Sequence, residues 1–170
     1  MKTRKSWREK MVNPNLPKLV PLLPAMRKRF SGGMMLVPSP REVETLIRAV
    51  PAGRLTTPGR IRESLAQKHG AAVTCPLTAG IFVRLAAEAA EEEARAGRTD
   101  ITPYWRVVKE DGSLNPKFPG GAARQARRLR AEGHSILPGT GKRPPRVAAR
   151  ANAPTGSLPP PRTGTPPTAR

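Results

Sequence analysis

The stretch TPGRIRESLAQKHGAAVTCPLTAGIFVRLAAEAAEEEARAG, residues 57–97, decides the fold. Thr57 offers a side-chain oxygen to the first turn of a helix, and Pro58 fits the first helical position, where no N–H is needed. Ile61 and Leu65 continue an apolar face until Gly70 supplies a stop. Thr74-Cys75-Pro76 is a second start, and the run from Leu77 to about Ala96 predicts a long helix ended by Gly97. Two helices joined by a short turn, with a small strand element after them, predict a helix-turn-helix or winged-helix arrangement.

The flanks extend this pattern. Upstream, Ser39 caps a helix, Pro40 opens it, and Glu42 completes a capping box, with Val43, Leu46, Ile47 and Val50 as its buried stripe. Downstream, Arg106 to Lys109 is the best strand candidate, closed by an Asp111-Gly112 turn, and a last helix runs from about Gly121 to Glu132 before Gly133. The expected fold class is mainly α with a small β element, a winged-helix-like DNA-binding domain over residues 36–137.

Charge lies mostly outside that domain. Of the net +19, residues 1–35 carry +8, residues 36–137 carry +5 and residues 138–170 carry +6. Such an excess favours polyanion partners through counterion release, without distinguishing DNA from RNA or an anionic membrane. Residues 1–35 mix Lys and Arg with Pro14, Pro17, Pro21 and Pro24 and read as an extended basic arm, with room for a short helix near Met26 to Phe30. From Pro138 onward nine prolines and few large apolar residues predict a disordered basic tail.

LVPLLPAM is too short, and too broken by Pro21 and Pro24, for a secretory signal or a membrane span, so a cytoplasmic, nucleoid-associated protein with no membrane partner is expected. One cysteine excludes an intramolecular disulfide, and with only His69 and His134 beside it there is no zinc-finger spacing, so neither a metal nor a cofactor is expected.

Four segments, in order, carry a family resemblance: PAGRLTTPGRI (51–61), TPYWRVV (102–108), EDGSLNPKFPGG (110–121) and RLRAEGH (128–134). Across residues 51–134, about half of the chain, the sequence resembles methylated-DNA-protein cysteine methyltransferases, whose active-site strand reads proline, cysteine, histidine, arginine. In that family the cysteine takes an alkyl group from a damaged guanine and the histidine helps make it a thiolate. Here Tyr104 stands at the cysteine position and Trp105 at the histidine position. A phenol near pKa ~10 stays protonated at neutral pH and an indole offers only a donor, so neither can do that chemistry. The resemblance is greatest to the alkyltransferase-like proteins, which lack the acceptor cysteine and bind alkylated DNA without repairing it. That group commonly has tryptophan in place of the cysteine and keeps the histidine, so this chain departs from both patterns.

The resemblance implies roles for particular residues, each with a plainer alternative. Tyr104 and Trp105 are either a stacking wall for an extruded base or plugs of a vestigial pocket. Arg106 contacts phosphate, braces the pocket, or forms a surface ion pair. Phe118, Gly120 and Gly121 match the pocket rim, with Pro119 removing a hydroxyl contact, and the following helix start suits a phosphate; paired glycines there are also ordinary loop punctuation. Glu132 matches the glutamate that orients the family's histidine and serves here as acceptor for the indole N–H. The helix after Pro76 corresponds to the recognition helix, with Leu77 where the family has an intercalating arginine and Pro58 where it has a nucleotide-rotating tyrosine. Leu77 is an apolar wedge or, with Ala79, Ile81, Phe82, Val83 and Leu85, part of a buried face, which is the favoured reading. Thr78 and Arg84 are that helix's best DNA contacts, and Arg54, Arg60 and Arg62 hold phosphates. Glu88, Glu91, Glu92 and Glu93 make its far end acidic, a solvated face turned away from nucleic acid.

The expected function is therefore non-catalytic binding of double-stranded DNA, with sensing of alkylated guanine and transfer to another repair protein implied by resemblance alone. Cys75, at a helix start that lowers a thiol pKa, is the one route to an enzymatic alternative as alkyl acceptor, with His69 its nearest activator in sequence. A third reading is a nucleic-acid or protein interaction module that keeps only the scaffold.

Overall fold

Helix starts fall where local chemistry puts them. In the computed structural model, which describes residues 5–30 and 32–148, Ser39 and Glu42 form the complete capping box of α3 (Pro40–Arg48). The Thr57 side chain accepts from the Arg60 N–H at the start of α4 (Pro58–His69), and Gly70 ends that helix at φ 61°, a left-handed conformation open to glycine. α5 spans Pro76–Arg95 and α6 spans Gly121–Ala131. Before them come two one-turn helices, α1 (Trp7–Lys10) and α2 (Pro24–Arg27).

A three-stranded sheet ties the amino-terminal segment to the α4–α5 turn. β1 (Lys18–Pro21) runs antiparallel to β2 (Met34–Val37), which runs parallel to β3 (Val73–Thr74). The Cys75 N–H donates to the Leu36 carbonyl at 2.8 Å, so the residue that opens α5 is itself held to β2. A second, two-stranded sheet pairs β4 (Ile136–Leu137) with β5 (Arg146–Val147). The architecture is mixed helical with small sheets, the coarse form of the expected class.

The main core lies between α3, α4 and α5, where Val43, Ile47, Ile61, Leu65, Val83 and Ala86 are nearly or wholly removed from solvent. Each large aliphatic side chain so buried contributes about 1.5–3 kcal/mol. A smaller cluster of Val108, Leu114, Ala126 and Leu129 lies under α6, and Trp105 packs against both.

Four expectations are corrected here. The segment expected as an unattached basic arm is part of the fold over its described residues: Met11 is 1% exposed within the core, and α1 docks on α5. Its attachment depends on non-local carboxylates, since Glu92 accepts from the backbone N–H groups of Trp7 and Arg8 at 3.2 and 2.9 Å, and Arg8 pairs with Glu44 and Glu93. The short helix there is α2, which starts two residues earlier than expected. The expected strand at Arg106 to Lys109 is a 3-10 turn over Tyr104–Arg106, followed by a single parallel bridge between Val107 and Thr56. The chain also does not lose structure at Pro138, because residues 136–147 form the β4–β5 hairpin; the rest of the expected disordered tail, 149–170, lies outside the described residues.

Candidate nucleic-acid interface

The start of α5 presents one exposed face. Pro76, Leu77, Gly80, Ile81 and Arg84 recur at helical spacing and all face solvent, with Leu77 72% and Ile81 53% exposed. The favoured core reading of Leu77 and Ile81 is thereby corrected. Ala79, Val83, Ala86, Ala87 and Ala90 line the opposite side, so small residues fill the buried face and leave the two larger side chains outside. Thr78 is half-buried, its hydroxyl 3.4 Å from the Cys75 carbonyl, and Arg84 is exposed with Glu88 at 3.8 Å. Arg54 is exposed on the loop before α4. Arg60 and Arg62 lie half-buried on α4, and the Arg62 Nε is enclosed with no hydrogen-bond partner among the described residues.

The residues expected to form a base pocket come together, but as packed interior. Tyr104 is wholly buried, its ring edge-on to Trp105 (centroids 5.5 Å) and to Phe118 (5.3 Å). Its hydroxyl donates to Glu91 Oε1 at 2.7 Å. Burial, then the adjacent Glu91 carboxylate, push the phenol above its ordinary range, so it remains a neutral donor. Phe118 is 3% exposed, a core residue in place of the expected rim. No face of Tyr104 is open to a base in this conformation, and the plug is the reading its placement supports.

Glu91 and Glu93 overturn the expected solvated acidic face. Glu91 is 3% exposed and accepts from Tyr104, from Arg124 Nη1 at 2.6 Å and from Arg128 Nη2 at 2.9 Å. Burial alone would raise its carboxyl; the Tyr104 hydrogen bond and the Arg128 and Arg124 charges outweigh that and hold it below the usual range. Glu93, 7% exposed, has Arg8 at 3.2 Å and Arg48 at 3.8 Å. These carboxylates are structural hubs, invisible in the sequence because their partners lie in distant elements.

Trp105 and Arg106 share one acceptor. The indole N–H donates to Glu132 Oε1 at 2.8 Å, the partner expected for it, and Arg106 grips both Glu132 oxygens through Nε (3.0 Å each) and Nη2 (2.8 Å). Arg106 Nη1 donates to the Val50 carbonyl at 2.6 Å. The Arg106 guanidinium is thus occupied internally, which fits the bracing role and not the phosphate role. Burial raises the Glu132 carboxyl, but hydrogen bonds from Arg106, Trp105 and the Gly53 N–H bring it below its ordinary value. The Arg128 guanidinium lies 4.4 Å from the Trp105 ring centre, a cation–π contact that covers the indole.

Gln125 completes the arrangement. Fully buried, it donates to the Trp105 and Val107 carbonyls at 3.1 and 2.9 Å and accepts from the Asn115 N–H at 2.7 Å. It fixes both ends of the Tyr104 turn, a role that no sequence signal marks. Gly120 and Gly121 both have positive φ, 75° and 65°, at the entry to α6, so the glycine pair there is a backbone requirement.

Cys75 is half-buried at the start of α5. Burial raises its thiol, while hydrogen bonds from Thr78 and from the Leu77 N–H bring it net below the ordinary value. The His69 ring lies 2.7 Å from Glu42, which Lys68 also contacts at 2.7 Å, so the expected activator is committed elsewhere. Among the described residues no group of three His, Cys, Asp or Glu is placed to hold a metal, and no helix is long and apolar enough to cross a membrane.

No protein-family model and no curated protein matches the chain. A solved structure, S. pombe Atl1 in complex with damaged DNA containing O6-carboxymethylguanine, is similar to it at 21% identity and a TM-score of 0.44, over 64% of this chain and 87% of that one.

Proposed function

We propose that this protein binds double-stranded DNA without altering it chemically, as a winged-helix-type module whose α5 face is seated in a groove. The observation that carries this reading is the outward face of Leu77, Ile81 and Arg84 at the start of a 20-residue helix, in a chain of net charge +19. Apolar side chains in that place act as wedges between base steps, and surrounding cations supply affinity through counterion release. The absence of transfer chemistry rests on Tyr104, whose neutral, hydrogen-bonded phenol stands where the resembled enzymes carry a thiolate.

The resemblance extends the proposal to alkylated guanine as the ligand and to a further repair protein as the recipient. The burial of Tyr104 favours a second reading on that finer point: affinity indifferent to base alkylation. Intact-protein mass spectrometry, run beside fluorescence anisotropy on a duplex carrying O6-alkylguanine, tests the main proposal. Saturable binding with unchanged protein mass is expected. A stoichiometric mass gain on Cys75 would establish an alkyl acceptor instead.

A further inference from the structure

Beyond the segment that carries the resemblance, the β4–β5 hairpin folds back on the Asp111–Gly112 turn and encloses a cavity of about 500 Å3. The Val147 N–H donates to the Gly112 carbonyl at 3.0 Å and the Leu114 N–H to the Pro145 carbonyl at 2.8 Å, so the hairpin is hydrogen-bonded to the turn on both sides. Its bend is tight: a Cβ at Gly139 would run into the Arg143 carbonyl oxygen, and Pro144 and Pro145 fix the backbone that follows. The cavity is therefore bordered by a tightly bent backbone.

Its lining has a definite chemistry. Arg143 and Arg146 supply two exposed guanidiniums, and neither pairs with a carboxylate among the described residues. Thr140 adds a hydroxyl, the buried Ser113 hydroxyl being bonded to Asp111, while Leu137, Pro138 and Pro144 give an apolar wall. Asp111 is the one acidic group in the lining, and its Oδ1 already accepts from the Ser113 N–H at 3.0 Å. Paired guanidiniums beside the Thr140 hydroxyl suit the two-pronged recognition of a phosphate, and the apolar wall suits an adjoining sugar or base face.

We infer that this cavity is a nucleotide-phosphate site, occupied by one phosphodiester of the bound duplex and separate from the α5 face. The inference rests on the proposed DNA binding and adds a second point of attachment, which would fix the orientation of the protein along the backbone. A free nucleoside monophosphate offers the same chemistry, so the test separates the two sources.

The experiment is the salt dependence of duplex affinity for the full chain and for Arg143→Gln/Arg146→Gln, with Arg95→Gln/Arg98→Gln as a control of equal charge change at the exposed far end of α5. Each phosphate contact contributes about 0.9 to the slope of log affinity against log salt, so the hairpin variant, losing one phosphodiester, should lose about 1 from the slope and the control almost none. Asp111→Asn, which keeps the turn acceptor, should tighten binding. Equal slopes for hairpin variant and parent, or equal losses in hairpin variant and control, would overturn the site. Saturable amide shifts in residues 140–146 with deoxyguanosine monophosphate, together with an unchanged duplex slope, would assign the cavity to free nucleotide and overturn its place on duplex. A parent protein with no duplex affinity at any salt would instead remove the proposed function on which the inference rests.

Discussion

Tyr104 and Glu91 are joined by a 2.7 Å hydrogen bond that runs from the 3-10 turn over Tyr104–Arg106 into the buried side of α5. Around it, Arg124 and Arg128 neutralise the carboxylate and Arg128 also covers Trp105. The pair fills the interior between the 3-10 turn and α5 and leaves Tyr104 wholly buried.

Removing the hydroxyl should therefore be costly. Tyr104→Phe leaves one lone pair of a buried carboxylate unsatisfied, and a hydrogen bond to a charged group contributes about 1.5–3 kcal/mol. Urea denaturation should show a loss in that range, with duplex affinity at saturating stability unchanged. Unaltered stability would mean that the Glu91 hub does not depend on Tyr104.

Glu132→Gln should destabilise more. The substitution discharges the common acceptor of Arg106 and Trp105 and leaves a part-buried guanidinium, 14% exposed, without its counter-charge; breaking a buried pair in this way costs up to about 3–5 kcal/mol. The measurement is the denaturation midpoint; the glutamine carbonyl can still accept from the indole N–H, so the loss reports the broken Arg106 pair.

Acid should unfold the protein through its lowered carboxylates. Burial raises Glu42, but hydrogen bonds from Lys68, His69 and Ser39 lower it further, from 4.5 to about 2, and Glu91 and Glu132 shift in the same direction. A carboxyl whose pKa is lower folded than unfolded stabilises the fold above the unfolded value and loses that contribution as pH falls through the folded one. Stability should thus decline between about pH 4.5 and 2, and Glu42→Gln should flatten the lower part of that decline in urea midpoints measured against pH.

The amino-terminal segment gives a fourth test. Met11→Ala, in a residue 1% exposed, should cost about 2–5 kcal/mol by thermal or chemical denaturation. A cost near zero would restore the picture of a detached basic arm.

How far the sequence can be read follows from the range of each interaction. Ser39, Thr57 and Gly70 were legible because capping chemistry lies within four residues, and α3 and α4 start or stop where those residues predict. The exposure of Leu77 and Ile81 was not legible, since α5 carries apolar residues on more than one side and Val83, Leu85 and a row of alanines fill the core face instead. Glu91 and Glu93 looked solvated because their arginine partners come from α1, α3 and α6. The hairpin at residues 136–147 was hidden by its prolines, which sit at strand ends and in the bend, where no ladder donor is lost. For the candidate site, the Glu132 acceptor for the indole was anticipated; the burial of Tyr104 against Phe118 was not.

The most direct test of the account is duplex binding by Leu77→Ala/Ile81→Ala beside the parent protein. Both side chains are exposed, so folding stability should change by less than about 0.5 kcal/mol per site. Affinity should fall by about tenfold or more, the effect of losing roughly 1.5 kcal/mol of apolar contact with the groove. Unchanged affinity in a normally folded double variant would contradict the assignment of α5 as the DNA-facing helix.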